Sequence, residues 1–333
     1  MLSRIAEYHY WLGRYIERSE NIARVVGDYY QTLLDIGQGV DTETTSRRWE
    51  MILEISGEKE SYQSRYDTVH PALVEQFLSF DRSNPSSILS CITQARENAR
   101  GIRDQISSEV WLCLNRFYLE LREAQWEGDA DTEAINFYEK VKEQSQLIDS
   151  LANSTILHDT GWLFLRLGRF IERAAQTARI LQVRYRYIDP QLALPERPIE
   201  VQQWLSLLRS VSAFEIYSKL YRATVAPMSV VQLLVLNPRF PRSLRFAASQ
   251  VQDILRVLAT SQPGFYKSEA ERLVGILCSE LIYGTLAEIE DAGVVPYLIQ
   301  KEREIDTIGN YIHHFYFAYS LPGFAQAQSM SQS

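Results

Sequence analysis

Two runs of polar residues have the types and spacing to do chemistry. Tyr10, Arg14, Glu17, Asn21, Arg24 and Asp28 follow one another at intervals of four, three, four, three and four residues, and Arg169, Glu172, Gln176 and Arg179 repeat part of that spacing. On a helix, such intervals gather each set into one narrow stripe. A glutamate flanked by guanidiniums in this way has several readings. Glu17 or Glu172 is a candidate catalytic acid or base, with the arginines holding an anionic intermediate, if burial raises its pKa further than the arginines lower it. The stripes are equally candidates for binding a carboxylate, phosphate or peptide, because Arg engages such groups bidentately. Without a ligand, the same residues form either a buried network between two helices or an exposed face of pairs worth about 0.2–0.5 kcal/mol each. A second cluster, Arg96, Glu97, Asn98 and Arg100 with Arg103 close by, has the same binding chemistry, with surface salt bridging as its bland alternative.

Both stripes lie in an internal repeat. Leu12–Arg24 reads LGRYIERSENIAR and Leu167–Arg179 reads LGRFIERAAQTAR, so Gly13 and Gly168, Arg14 and Arg169, Glu17 and Glu172, Arg18 and Arg173, and Arg24 and Arg179 all pair at an offset of 155 residues. Trp49 and Trp204 keep that offset, while Gln76 and Gln232, Pro85 and Pro241, and Arg100 and Arg256 pair at 156, which one inserted residue explains. A repeat that keeps charged positions as well as apolar ones asks for more than similar packing. We expect two duplicated helical units, residues 1–156 and 157–320, fused around a pseudo-twofold axis, and a flexible tail at 321–333.

The elements that position these residues read as helices. Leu12, Tyr15, Ile16, Ser19, Ile22, Ala23, Val26, Tyr30 and Leu33 make an apolar seam opposite the polar stripe, predicting a first helix from about Ser3 to Asp35. Further helices are expected over Thr44–Ser56, over His70–Phe80, from a cap at Ser83 or Asn84 with Pro85 in the first turn, and over Glu109–Trp126 and Ala134–Asn153. The second stripe falls on a helix near Asp159–Tyr187, and two final helices span about Ser268–Ala292 and Gln300–Tyr319. Gly57–Thr68 reads as a loop and DPQLALPERP as a linker. No stretch alternates as a half-buried strand does, so the expected fold class is an all-α helical bundle.

Composition removes several functions. A net charge of −8 argues against non-specific nucleic-acid binding. Cys91, Cys113 and Cys278 stand far apart with no zinc-ligand spacing, and no Gly-rich phosphate loop, HExxH or GxSxG occurs, so neither metal nor cofactor is evident. His313 and His314 are adjacent and would point about 100° apart on a helix, which suits a core or interface position better than a metal site. With no signal-like or membrane-spanning apolar run, a cytoplasmic protein without membrane contact is expected. The six tryptophans are read as packing residues.

The opening MLSRIAEYHYWLGRYIERSENIAR, the middle NPSSILSCITQARENARGIRDQISSEVW, the second LGRFIERAAQTARIL, and WLSLLRSVSAFEIY followed by PRSL together resemble the bacterial alpha-E family over nearly the whole chain. That resemblance implies an all-helical protein whose characteristic glutamate is Glu17 or Glu172. It also implies a partner: such proteins are encoded beside, or fused to, circularly permuted ATP-grasp proteins and transglutaminase-like proteins. An ATP-grasp enzyme activates a carboxylate as an acyl phosphate and passes it to an amine. The expected function is therefore a helical partner of such a ligase, binding the enzyme or a peptide-like, carboxylate-bearing substrate through Tyr10, Arg14, Asn21, Arg24, Arg96, Glu97, Asn98, Arg100, Arg169 and Arg179. The alternatives are an enzyme acting on an amide through Glu17 or Glu172, and a structural scaffold without a ligand.

Overall fold

Apolar residues recurring every three or four positions need a second helix to cover them, and this chain supplies that cover twice. The computed structural model describes residues 2–36, 42–124, 130–187, 198–221, 225–262 and 265–318, and every regular element among them is helical. The first series comprises α1 (Ser3–Ile36), α2 (Thr42–Ser56), α3 (Lys59–Gln63), α4 (Pro71–Ser79), α5 (Ile88–Gly101), α6 (Ser108–Glu123) and α7 (Ala130–Thr155). The second comprises α8 (Thr160–Tyr187), α9 (Pro198–Ser210), α10 (Phe214–Tyr221) and α11 (Pro227–Val231), which runs into a π-helical turn at Gln232–Leu236. It continues with α12 (Leu244–Ala259), α13 (Glu269–Tyr283), α14 (Leu286–Ala292) and α15 (Val294–Ile312), which ends in another π-helical turn at His313–Phe317.

The two long helices α1 and α8 pack on each other at the centre. Around them, α1 carries α5 and α7 with α6 closing over both, while α8 carries α12 and α15 with α13 closing over both. Cover on both sides leaves α1 buried on every face from Ser19 to Tyr30, and α8 likewise from Phe170 to Ala178. The polar stripe is therefore interior. Matching aromatic contacts hold α2 and α9 in place: Trp49 stands edge-on to Tyr30 at 6.2 Å, and Trp204 to Tyr185 at 5.7 Å.

Several boundaries differ from the sequence expectation, each for a local reason. α5 starts at Ile88 with Ser87 as its cap, because Asn84 is used one turn earlier, accepting from the Ser86 N–H and donating to the Phe77 carbonyl. The expected loop Gly57–Thr68 holds the short α3, anchored by the fully buried Tyr62. The expected helix Ser268–Ala292 breaks at Gly284, where Thr285 and Glu288 form a new capping box. α15 begins at Val294, ahead of Gln300, since Pro296 lies in its first turn, where no amide donor is needed. His313 and His314 are exposed, contrary to a core position, because the π-helical turn rotates them away from the buried Ile312 and Phe317. Of the linker DPQLALPERP, Pro198 is the first residue of α9, and the rest of it and the tail 321–333 lie outside the described residues.

Candidate functional site

α1 and α8 approach closely enough that two positions exclude any side chain. A Cβ on Gly13 would stand 2.0 Å from the Leu165 carbonyl oxygen, and one on Gly168 would stand 2.0 Å from the Tyr10 carbonyl oxygen. The two contacts are the same contact with the helices exchanged, since Gly168 follows Gly13, and Leu165 follows Tyr10, by 155 residues. Backbone contact at the crossing brings the next turns of both helices together, and those turns carry the glutamates.

Each glutamate is held by two arginines of the opposite helix. Glu172 accepts from Arg14 Nε at 2.8 Å and, at both carboxylate oxygens, from Arg18 Nε at 2.7 Å and Nη2 at 3.0 Å. Glu17 accepts from Arg169 Nε at 2.9 Å and, again at both oxygens, from Arg173 Nε at 2.8 Å and Nη2 at 2.7 Å. Arg169 also pairs with Asp149 of α7, at the edge of the cluster. Glu17 is fully buried and Glu172 is 2% exposed. Burial alone would raise their pKa values, but Arg173 and Arg169 around Glu17, and Arg18 and Arg14 around Glu172, outweigh it and hold both carboxyls below the ordinary range.

A further arginine enters from the turn before α12. Arg242 donates from Nη2 to Glu20 at 2.8 Å and from Nη1 to Asn21 Oδ1 at 3.0 Å, with Glu17 at 3.5 Å. Glu20 also receives Arg24, which reaches on to the Ser212 hydroxyl at 2.6 Å. Arg14, Arg18, Arg24, Arg169, Arg173 and Arg242 thus surround Glu17, Glu20 and Glu172, an excess of positive charge. The excess is felt by Arg242, whose pKa falls to about 10 through burial and its neighbour Arg24, with Glu20 opposing.

This arrangement brings together Tyr10, Arg14, Glu17, Asn21, Arg24, Arg169 and Glu172 from the expected set. Tyr10 is buried, its ring against Phe317 and the Arg14 guanidinium. It does not bring the others. Arg179 pairs with Glu302 of α15 and covers Gly57. Arg96 turns to Asn115 and the faces of Trp111 and Tyr118 on α6, while Arg100 is exposed on Glu97, and Asn98 is half-buried beside them on α5. Arg18, Arg173, Glu20 and Arg242 were absent from the expected set. Arg18 and Arg173 stood in the repeat itself. Arg242 had a fainter signal, lying 156 residues after Ser86, whose hydroxyl receives Arg18.

Chemically, the cluster is a clasp. Both glutamates are ionised, covered and hydrogen-bonded at both oxygens, leaving no proton to donate and no lone pair facing a substrate. The voids beside it, one bounded by Asn21 and Gln176 and one by Gly13 and Arg169, measure about 10 and 20 Å³, room for one water at most. Among the described residues, no group of three or more His, Cys, Asp and Glu is placed to hold a metal, and no helix is long and apolar enough to cross a membrane.

A family model for a predicted alpha-helical domain with a conserved ER motif, Alpha-E, matches residues 1–317. Of the five Glu-Arg dipeptides in this chain, Glu17–Arg18 and Glu172–Arg173 stand at the centre of the clasp. Uncharacterized proteins of Mycobacterium bovis and Mycobacterium tuberculosis (strain CDC 1551 / Oshkosh) are each 23% identical over 86% of this chain, and one of Mycobacterium tuberculosis (strain ATCC 25618 / H37Rv) is 22% identical over the same share. The match spans only 33% of the length of each of these relatives. No solved structure matches. The chain, with an ER dipeptide on each of its two central helices and each glutamate held by the other's arginines, belongs to the Alpha-E family.

Proposed function

We propose that this protein is a helical partner of an ATP-grasp-type ligase system, docking on the ligase or presenting a peptide-like, carboxylate-bearing substrate for amide-bond formation or modification. The observation that carries this reading is the relatives' length: with the match covering 33% of each mycobacterial protein, an Alpha-E region works there as one part of a larger polypeptide. The clasp supports the same reading from inside. Its glutamates are spent on joining α1 to α8, so the role left to the chain is to hold a shape for something else.

In this reading the chain is two duplicated units, 1–156 and 157–320, about a pseudo-twofold axis at the Gly13–Gly168 crossing, and it acts in the cytoplasm. The exchange of Glu17, Arg169 and Arg173 for Glu172, Arg14 and Arg18 supports the duplication, as does the matched packing of α5, α6 and α7 on α1 and of α12, α13 and α15 on α8. The test is purification of the tagged full chain from its own host after mild cross-linking. An ATP-grasp protein, with or without a transglutaminase-like protein, is expected among the cross-linked species. Repeated recovery of the chain with neither class of protein would count against the proposal.

A further inference from the structure

A concavity away from the clasp lies over the outer face of α13. It encloses about 340 Å³, within the range of small-ligand sites, which is roughly 300–1,000 Å³. Three of its features are unusual together. Phe265 and Tyr266, 72% and 57% exposed, stand on its rim, with Ile276, 44% exposed, also lining it, so a large apolar surface is left in water. Glu271 lines the same pocket while only 6% exposed, and its Oε1 is buried without a hydrogen-bond partner. Its Oε2 is fully used, accepting from the Lys267 and Ser268 backbone N–H groups in the capping box of α13. Finally, Arg256 lines the pocket from α12, exposed and without an ion pair among the described residues, whereas its neighbour Arg272 is already held by Glu269 at 2.9 Å.

We propose that this pocket binds a small amphoteric ligand, a short peptide with a free ammonium and a free carboxylate: the ammonium donates to Glu271 Oε1, the carboxylate meets Arg256, and an apolar side chain covers Phe265 and Tyr266. Each part answers a specific need. A buried carboxylate oxygen without a donor is costly, and a charged donor repairs it best. An unpaired guanidinium fork matches a carboxylate bidentately. The aromatic rim is removed from water by an apolar side chain. A ligand with only one charged end would leave Glu271 or Arg256 as it is now. The site is separate from the clasp and stands whether or not the chain partners a ligase.

The test uses the purified full chain and the dipeptide Leu-Phe, titrated calorimetrically to millimolar concentration beside its N-acetyl and C-amide forms. Leu-Phe is expected to bind, and blocking either end is expected to weaken it about tenfold or more, the effect of losing one charge-assisted hydrogen bond. Glu271→Gln keeps an oxygen for the helix cap and puts an amide donor in place of the unpartnered oxygen. It should weaken Leu-Phe and leave the N-acetyl form unaffected, whereas Arg256→Gln should weaken Leu-Phe and leave the C-amide form unaffected. Thermal melts of both variants separate loss of binding from loss of fold. No saturable binding of Leu-Phe, or binding indifferent to both end blocks, overturns the proposal.

Discussion

Glu17 and Arg173, on different central helices, share two parallel hydrogen bonds, Nε to Oε1 at 2.8 Å and Nη2 to Oε2 at 2.7 Å. Glu172 and Arg18 share the same two with the helices exchanged, at 2.7 and 3.0 Å. Removing one partner of such a pair leaves the other charge buried and uncompensated, which costs more than the intact pair contributes. Glu17→Gln is therefore expected to lower the unfolding free energy by about 3–5 kcal/mol, and Glu172→Gln by a similar amount. Glu269→Gln on α13, which breaks a surface pair with Arg272, should change it far less. Urea unfolding of the three variants reads the difference, and equal losses for Glu17 and Glu269 would refute a structural clasp.

Gly13 and Gly168 make a sharper test, because helix propensity and packing predict opposite signs. Alanine favours a helix interior over glycine by about 1 kcal/mol. Here, however, the added Cβ would meet a backbone oxygen at 2.0 Å, which no side-chain rotation relieves. Gly168→Ala should force α1 and α8 apart and destabilise by about 1–3 kcal/mol net or more. A stabilised variant, by thermal or urea unfolding, would mean the helices do not cross in this way.

Arg242 ties the turn before α12 to α1 through Glu20 and Asn21. Arg242→Met keeps bulk but removes the charge, leaving Glu20 with Arg24 and the more distant Arg169 and Gln146. A loss of about 3 kcal/mol is expected, with faster amide hydrogen exchange at the start of α12 than at α5, whose entry uses Ser86 in place of an arginine. Uniform change over both helices would contradict a local tie.

Two groups give stability opposite dependences on pH. Glu17 and Glu172 have folded pKa values below the ordinary 4.5, so their contribution is complete above about 4.5 and is lost as pH falls through the folded values. Asp28 runs the other way. Burial raises it from 3.8 to about 6, against Arg184 and the Ser206 hydroxyl. The folded state then holds the proton more tightly than the unfolded chain, so Asp28 favours folding increasingly as pH falls from about 6 toward 4. Relative to Asp28→Asn, the unsubstituted protein should gain on the order of 1–3 kcal/mol between pH 7 and pH 4. Matched denaturation curves at the two pH values measure it, and a pH-independent difference would refute the raised pKa.

The sequence alone determined most of the secondary structure and part of the clasp, with Arg18, Arg173, Glu20 and Arg242 outside the expected set. The 3.6-residue period located α1, α2 and α8, and the shared spacing of Arg14, Glu17 and Arg18 with Arg169, Glu172 and Arg173 marked residues that act as a set. Local signals it carried less legibly were Ser87 in place of Asn84 as a cap and the Thr285–Glu288 capping box, since several neighbouring residues can each cap a helix and only packing selects one.

What tertiary structure alone decided was which side of the stripe faces what. A polar stripe opposite an apolar seam looks the same whether water or another helix lies over it, because periodicity records one helix at a time. Only the Gly13–Gly168 crossing, which lets the backbones touch, places each glutamate under the arginines of the other helix and brings in Arg242 from 225 residues beyond Glu17. Arg96 and Arg100 lie away from the clasp, on α6 and at the surface. Residue types fix which charges must find partners in a low-dielectric interior, and the approach of the two backbones fixes which partners they find.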